Sequence, residues 1–108
     1  MTRADFYIGK DKGAVWLGSI AHDGYPSGIP QAIRAAHSPE EYKAALVEFA
    51  RRRPDWTEPS MGWPWPWEDS KLTDFAYTFW HDHVEVSQFG SAWQRAHPLP
   101  EIIISLGV

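Results

Sequence analysis

The chain contains no cysteine. That excludes a disulfide framework, a thiolate metal site and a cysteine nucleophile, so the fold rests on packing alone, and a reducing compartment suits it. It also lacks any apolar run long enough for a membrane span, and Met1-Thr2-Arg3-Ala4-Asp5 lacks the apolar core of a signal peptide. The expectation is a cytoplasmic protein with no membrane contact. Charge of one sign is scarce: the net charge is -4, and the acidic residues are dispersed. Phosphate contacts need a basic surface, so this balance argues against direct nucleic-acid binding. Catalytic signatures are missing too. Neither Gly18-Ser19 nor Gly90-Ser91 stands in a Gly-x-Ser-x-Gly frame, and no glycine-rich loop would cradle a phosphate.

What is present is tryptophan, seven among 108 residues. Indoles serve cores and interfaces alike, because each combines a large apolar area with an N–H that needs a partner. The length suits one domain with a core of its own.

Asp5 to Gly9 and Ala14 to Ile20 read as a β-hairpin around the turn residues Lys10-Asp11-Lys12-Gly13. His22 to Pro30 holds two Gly and two Pro in nine residues, which marks an ordered loop. Gln31 to Ala36 reads as a short helix or a connector. A firm helix follows, with Ser38 as N-cap, Pro39 in the first position and Glu41 placed to close a capping box. Tyr42, Ala45, Leu46 and Phe49 share one face of it, and Arg51-Arg52-Arg53 and Pro54 end it. From Pro54 to Ser70, four Pro and four Trp without a period predict a long structured loop. Thr73 to Trp80 and Val84 to Phe89 read as a second hairpin around His81-Asp82-His83. Gly90 to Pro100 reads as irregular or briefly helical, and Glu101 to Leu106 as a strand buried on both faces. The order β-β-α-β-β-β predicts an α+β domain with a mostly antiparallel sheet of about five strands. One main helix packs on one face, and the Trp/Pro-rich loop is free to cover the other.

The segment Trp63-Pro64-Trp65-Pro66-Trp67-Glu68-Asp69 is the most distinctive feature. Pro64 and Pro66 fix φ near the polyproline value, and Trp63 and Trp65 each precede a proline, so three indoles sit on a stiff rod. Such a rod either completes the core or projects one or two indoles as rigid anchors, beside which Glu68 and Asp69 would receive basic residues of a partner. The same grouping would suit a sugar in a cleft against Asp23-Gly24-Tyr25-Pro26, which adds Asp23 and Tyr25 to the expected partner-binding residues. His81 and His83 could share a strand face and reach one ion, as in a small His- or metal-dependent enzyme. A hairpin tip with no supporting spacing explains them as turn residues instead. No catalytic residue, metal ligand or cofactor is expected.

Ala4-Asp5-Phe6-Tyr7-Ile8-Gly9, Trp16-Leu17-Gly18-Ser19-Ile20, Asp23-Gly24-Tyr25-Pro26, the segment from Trp63 to Ser70, Phe89-Gly90 and Trp93 together resemble a group of small hypothetical proteins of phages and bacterial mobile elements. His81-Asp82-His83 stands where a more ordinary Asp-Gly type hairpin would be expected. The resemblance brings no assigned activity. It implies a setting in which small acidic proteins bind and block a host protein or complex, anti-CRISPR proteins among them.

Overall fold

A computed structural model describes residues 2–61 and 74–99. Trp63, Trp65, Trp67, Glu68 and Asp69, the rest of the Trp/Pro-rich stretch from Gly62 onward, and the strand expected at Glu101 to Leu106 lie outside the described residues.

The first hairpin pairs β1 (Ala4–Ile8) with β2 (Val15–Ile20), antiparallel, with an irregularity between Phe6 and Tyr7 that leaves Leu17 as the extra residue. The connection holds a single 3-10 turn, Asp11–Gly13, and enters it through Gly9 and Asp11, both at positive φ. A 3-10 turn at Pro26–Gly28 and the short helix α1 (Gln31–Arg34) lead to the main helix α2 (Pro39–Arg51). The second hairpin joins β3 (Phe75–Trp80) to β4 (His83–Gln88), with His81 at positive φ in the turn. β5 is two residues, Gln94–Arg95, set against Val86 and Glu85.

Among the described residues the sheet has five strands in the order β2-β1-β3-β4-β5. Every pairing is antiparallel except the central one, where β1 and β3 run parallel. A parallel pair needs a long crossover, and β2, α1 and α2 all lie within this one. The fold is therefore α+β, an open and mostly antiparallel sheet with one main helix. It differs from the expectation in the stretch from Gly90 to Pro100, which reads as irregular or briefly helical but holds the short strand β5. Two residues paired at a sheet edge carry no period that a sequence could reveal.

Alternation sends Ala4, Phe6, Phe75, Tyr77, Phe79, Val84 and Val86 to one face, where they meet Ile29, Ile33, Tyr42, Leu46 and Phe49 in a buried core. Phe6 is its centre. Its ring stacks on Tyr77 at 5.3 Å, meets Phe49 edge-on at 6.2 Å and lies 5.9 Å from the Trp56 indole. Truncating such a ring to Ala costs about 3–5 kcal/mol. Among the described residues no helix is long and apolar enough to cross a membrane.

Candidate functional site

Two glycines allow backbone and ring to approach where the site is assembled. A Cβ on Gly24 would lie 2.5 Å from the Arg3 carbonyl oxygen, and one on Gly18 would lie 2.0 Å from Cζ2 of Trp56. Gly18 is thus the seat of the Trp56 indole, whose Nε1 donates to Glu58 at 2.8 Å. Thr57 pins the same segment to the sheet edge, exchanging backbone hydrogen bonds with Ser19 at 2.8 and 3.0 Å.

Arg53 fastens this segment to the loop after β2. Its guanidinium donates to both oxygens of Asp55 at 2.8 and 2.7 Å, to the His22 carbonyl at 2.8 Å and to Asp23 at 3.2 Å. Asp55 in turn accepts from the amides of Ala21 and His22 at 2.9 and 3.0 Å. Burial alone would raise the Asp55 carboxyl, but Arg53 and the two amides hold it below the usual carboxylate range. Asp23, at positive φ, is therefore an ion-pair partner within the molecule as well as an exposed carboxylate. Tyr25, on the same loop, is 39% exposed, with its ring edge-on to Phe75 at 5.4 Å. These are the two expected binding residues that the structure describes, and both belong to a loop whose backbone is anchored, Tyr77 donating its hydroxyl to the Gly24 carbonyl at 2.7 Å.

Between this clamp and α2 lies an apolar groove of about 490 Å³, lined by Leu17, Leu46, Val47, Ala50 and Trp56, with Lys43, Arg51 and Glu58 at its rim. Val47 is 57% exposed. It falls on α2 beside the core-facing positions Tyr42, Leu46 and Phe49 and widens the apolar stripe toward solvent. Sequence reasoning missed this groove because Val47 stands one step outside that stripe and Trp56 has no periodic context. The available signal was an apolar residue among Lys43, Glu48 and Arg51. Trp56, Glu58 and the half-exposed Met61 lead directly into the Trp/Pro-rich segment.

The sheet face opposite the helices is polar and aromatic. Asp5 is fully buried there, accepting from the Ser19 hydroxyl at 2.7 Å and more weakly from the Tyr7 hydroxyl at 3.4 Å, while Trp16 Nε1 donates to Ser19 Oγ at 2.8 Å. Burial pushes the Asp5 carboxyl up to about 6, against the opposing pull of Ser19, Tyr7 and the charge of Arg3. Further along, Lys10 Nζ sits 2.6 Å from Glu85, 4.9 Å from the centre of the Trp80 ring and 5.5 Å from that of Trp93. His83 turns Nε2 to Glu85 at 2.6 Å and Nδ1 to Asp82 at 3.0 Å. Both His83 nitrogens are thus engaged by carboxylates. His81 stands in the turn with its ring beside Trp80. Among the described residues no group of three His, Asp or Glu could hold a metal ion.

The chain matches no protein-family model, no curated protein and no solved structure.

Proposed function

We propose that this chain is a non-enzymatic binding protein of phage or mobile-element type that inhibits or modulates a host protein complex in the bacterial cytoplasm. A CRISPR effector or another defence system is the class of target that the resemblance implies. The observation that carries this reading is the apolar groove of α2, Leu17 and Trp56, with Val47 exposed at it, because a preformed apolar concavity beside a rigid frame suits an apolar side chain of a partner. The frame is rigid for the reasons above: Gly18 seats Trp56, Thr57 is bridged to the sheet edge and Arg53 closes the loop.

In this proposal the groove and the segment that follows Met61 both contact the partner. Trp63, Trp65 and Trp67 supply rigid apolar anchors, and Glu68 and Asp69 receive basic residues of the partner. Tyr25 and Asp23 add contacts from their own loop. Lys43 and Arg51 at the groove rim suit carboxylates on the partner, so charges of both signs set the register of docking.

The test is capture of the partner from a bacterial host lysate with the wild-type chain and with two variants: Val47→Glu, and the quintuple Ala replacement of Trp63, Trp65, Trp67, Glu68 and Asp69. The wild type is expected to retain a discrete host complex that both variants lose. Retention of the same proteins by all three would remove this surface from consideration.

A further inference from the structure

A second concavity lies away from the groove of α2, on the polar face of the sheet. It encloses about 640 Å³, within the range of small-molecule sites. Its floor is built from small side chains, Ala76 of β3 and Ser87 of β4, which face each other across the two strands, and the next pair on the same face is Thr78 and Glu85. Tyr7 forms one wall and Trp93, 36% exposed, another, and the two turns at Gly9–Ala14 and Gly90-Ser91 close the ends. Small residues beside an exposed indole leave room for a sugar ring.

The polar groups of the slot have spare capacity of a particular kind. Ser87 donates its hydroxyl to the Ser91 carbonyl at 2.6 Å and keeps its lone pairs, while Ser91 Oγ accepts from the Gln88 amide at 3.2 Å and keeps its proton. Its formal charges offset one another: Lys10 is bound by Glu85, and Lys12 stands beside Asp11. A strongly ionic ligand would find no net counter-charge, whereas hydroxyls that both donate and accept would match Ser87, Ser91 and the turn backbone.

We propose that this slot is a binding site for a neutral, hydroxyl-rich ring, a pyranose in a short oligosaccharide, whose C–H face stacks on Trp93 and whose hydroxyls meet Ser87 and Ser91. It is separate from the groove of α2 and does not depend on it. Occupancy would tie the β1–β2 turn to the β4–β5 turn across the sheet.

The experiment is a titration of the ¹⁵N-labelled full chain with maltotriose, cellotriose and N,N′,N″-triacetylchitotriose, with adenosine monophosphate as an anionic flat-ring comparison. At least one sugar is expected to shift the Trp93 indole N–H and the amides of Gly90 and Ser91 with Kd on the order of 1 mM or tighter. Trp93→Ala and Ala76→Leu are each expected to weaken that binding by about tenfold or more, with the remaining amide spectrum kept, and Val47→Glu, on α2 at the other face of the sheet, to leave it within about twofold. The inference is overturned if none of the three sugars moves these signals, if only the nucleotide does, or if the shifts survive both Trp93→Ala and Ala76→Leu unchanged.

Discussion

The carboxyl of Asp5 has no exposure to solvent and one strong hydrogen-bond donor, the Ser19 hydroxyl. Its folded-state value near 6 lies above the ordinary 3.8, so the folded chain holds this proton more tightly than the unfolded one. The stabilising contribution of the neutral acid is therefore fully present below about 3.8 and is lost as pH rises through about 6. That gap corresponds to at most about 3 kcal/mol. Other carboxyls, Asp55 and Glu85 among them, are shifted the opposite way and mask the trend in the wild type. The comparison to make is with Asp5→Asn. Denaturant unfolding from pH 4 to pH 7 should show Asn gaining on Asp by about 2–3 kcal/mol as pH rises, and an unchanging difference would mean that Asp5 titrates normally. Gly18 is the second decisive residue. A methyl there overlaps the Trp56 ring, so Gly18→Ala should cost about 1–3 kcal/mol in the same measurement, and a neutral effect would show that the indole has room to move. Neither role is legible in the sequence. An Asp in a strand reads as solvent-facing until the pairing with Ser19 is known, and nothing local links Gly18 to a ring 38 positions away.

At the level of elements, α2 was legible almost to the residue, because its signals are local. Ser38 Oγ accepts from the Glu41 amide at 3.1 Å, and Tyr42, Leu46 and Phe49 are buried as their spacing predicts. The return arm of the capping box differs by one position: Glu41 accepts from the His37 amide, not from Ser38. Ser38→Ala should cost about 1 kcal/mol by thermal or urea unfolding, and no change would mean that the cap is replaced by solvent. The arginine run at the end of α2 was only half readable. Arg51 and Arg52 lie on the helix surface near Glu48, as a helix C-terminus favours, but Arg53 leaves the helix to clamp Asp55 and Asp23. The two hairpins were legible from alternation and turn residues. The parallel β1–β3 pair and the two-residue β5 were not, since strand neighbours are chosen by tertiary packing.

For the whole molecule, the architecture divides the labour between two faces. One face of the sheet builds the core with α1 and α2, and the outer side of α2 with Trp56 is left as an apolar groove. The other carries the buried Asp5 network and the ion pairs of Lys10, Glu85 and His83. Of the expected binding residues, Asp23 and Tyr25 were readable as loop residues, but the clamp that holds their loop was not, because Arg53 lies 30 positions away from Asp23. The groove was invisible for the same reason: its walls come from β2, α2 and the segment after it. The central claim is the proposal that this groove binds the partner. The most direct measurement is the Kd of the purified captured partner for the wild type and for Val47→Glu. Because Val47 is largely exposed, the substitution should change stability by no more than about 0.5 kcal/mol. The account predicts at least about a tenfold rise in Kd for Val47→Glu, and an unchanged Kd with an intact fold would contradict it.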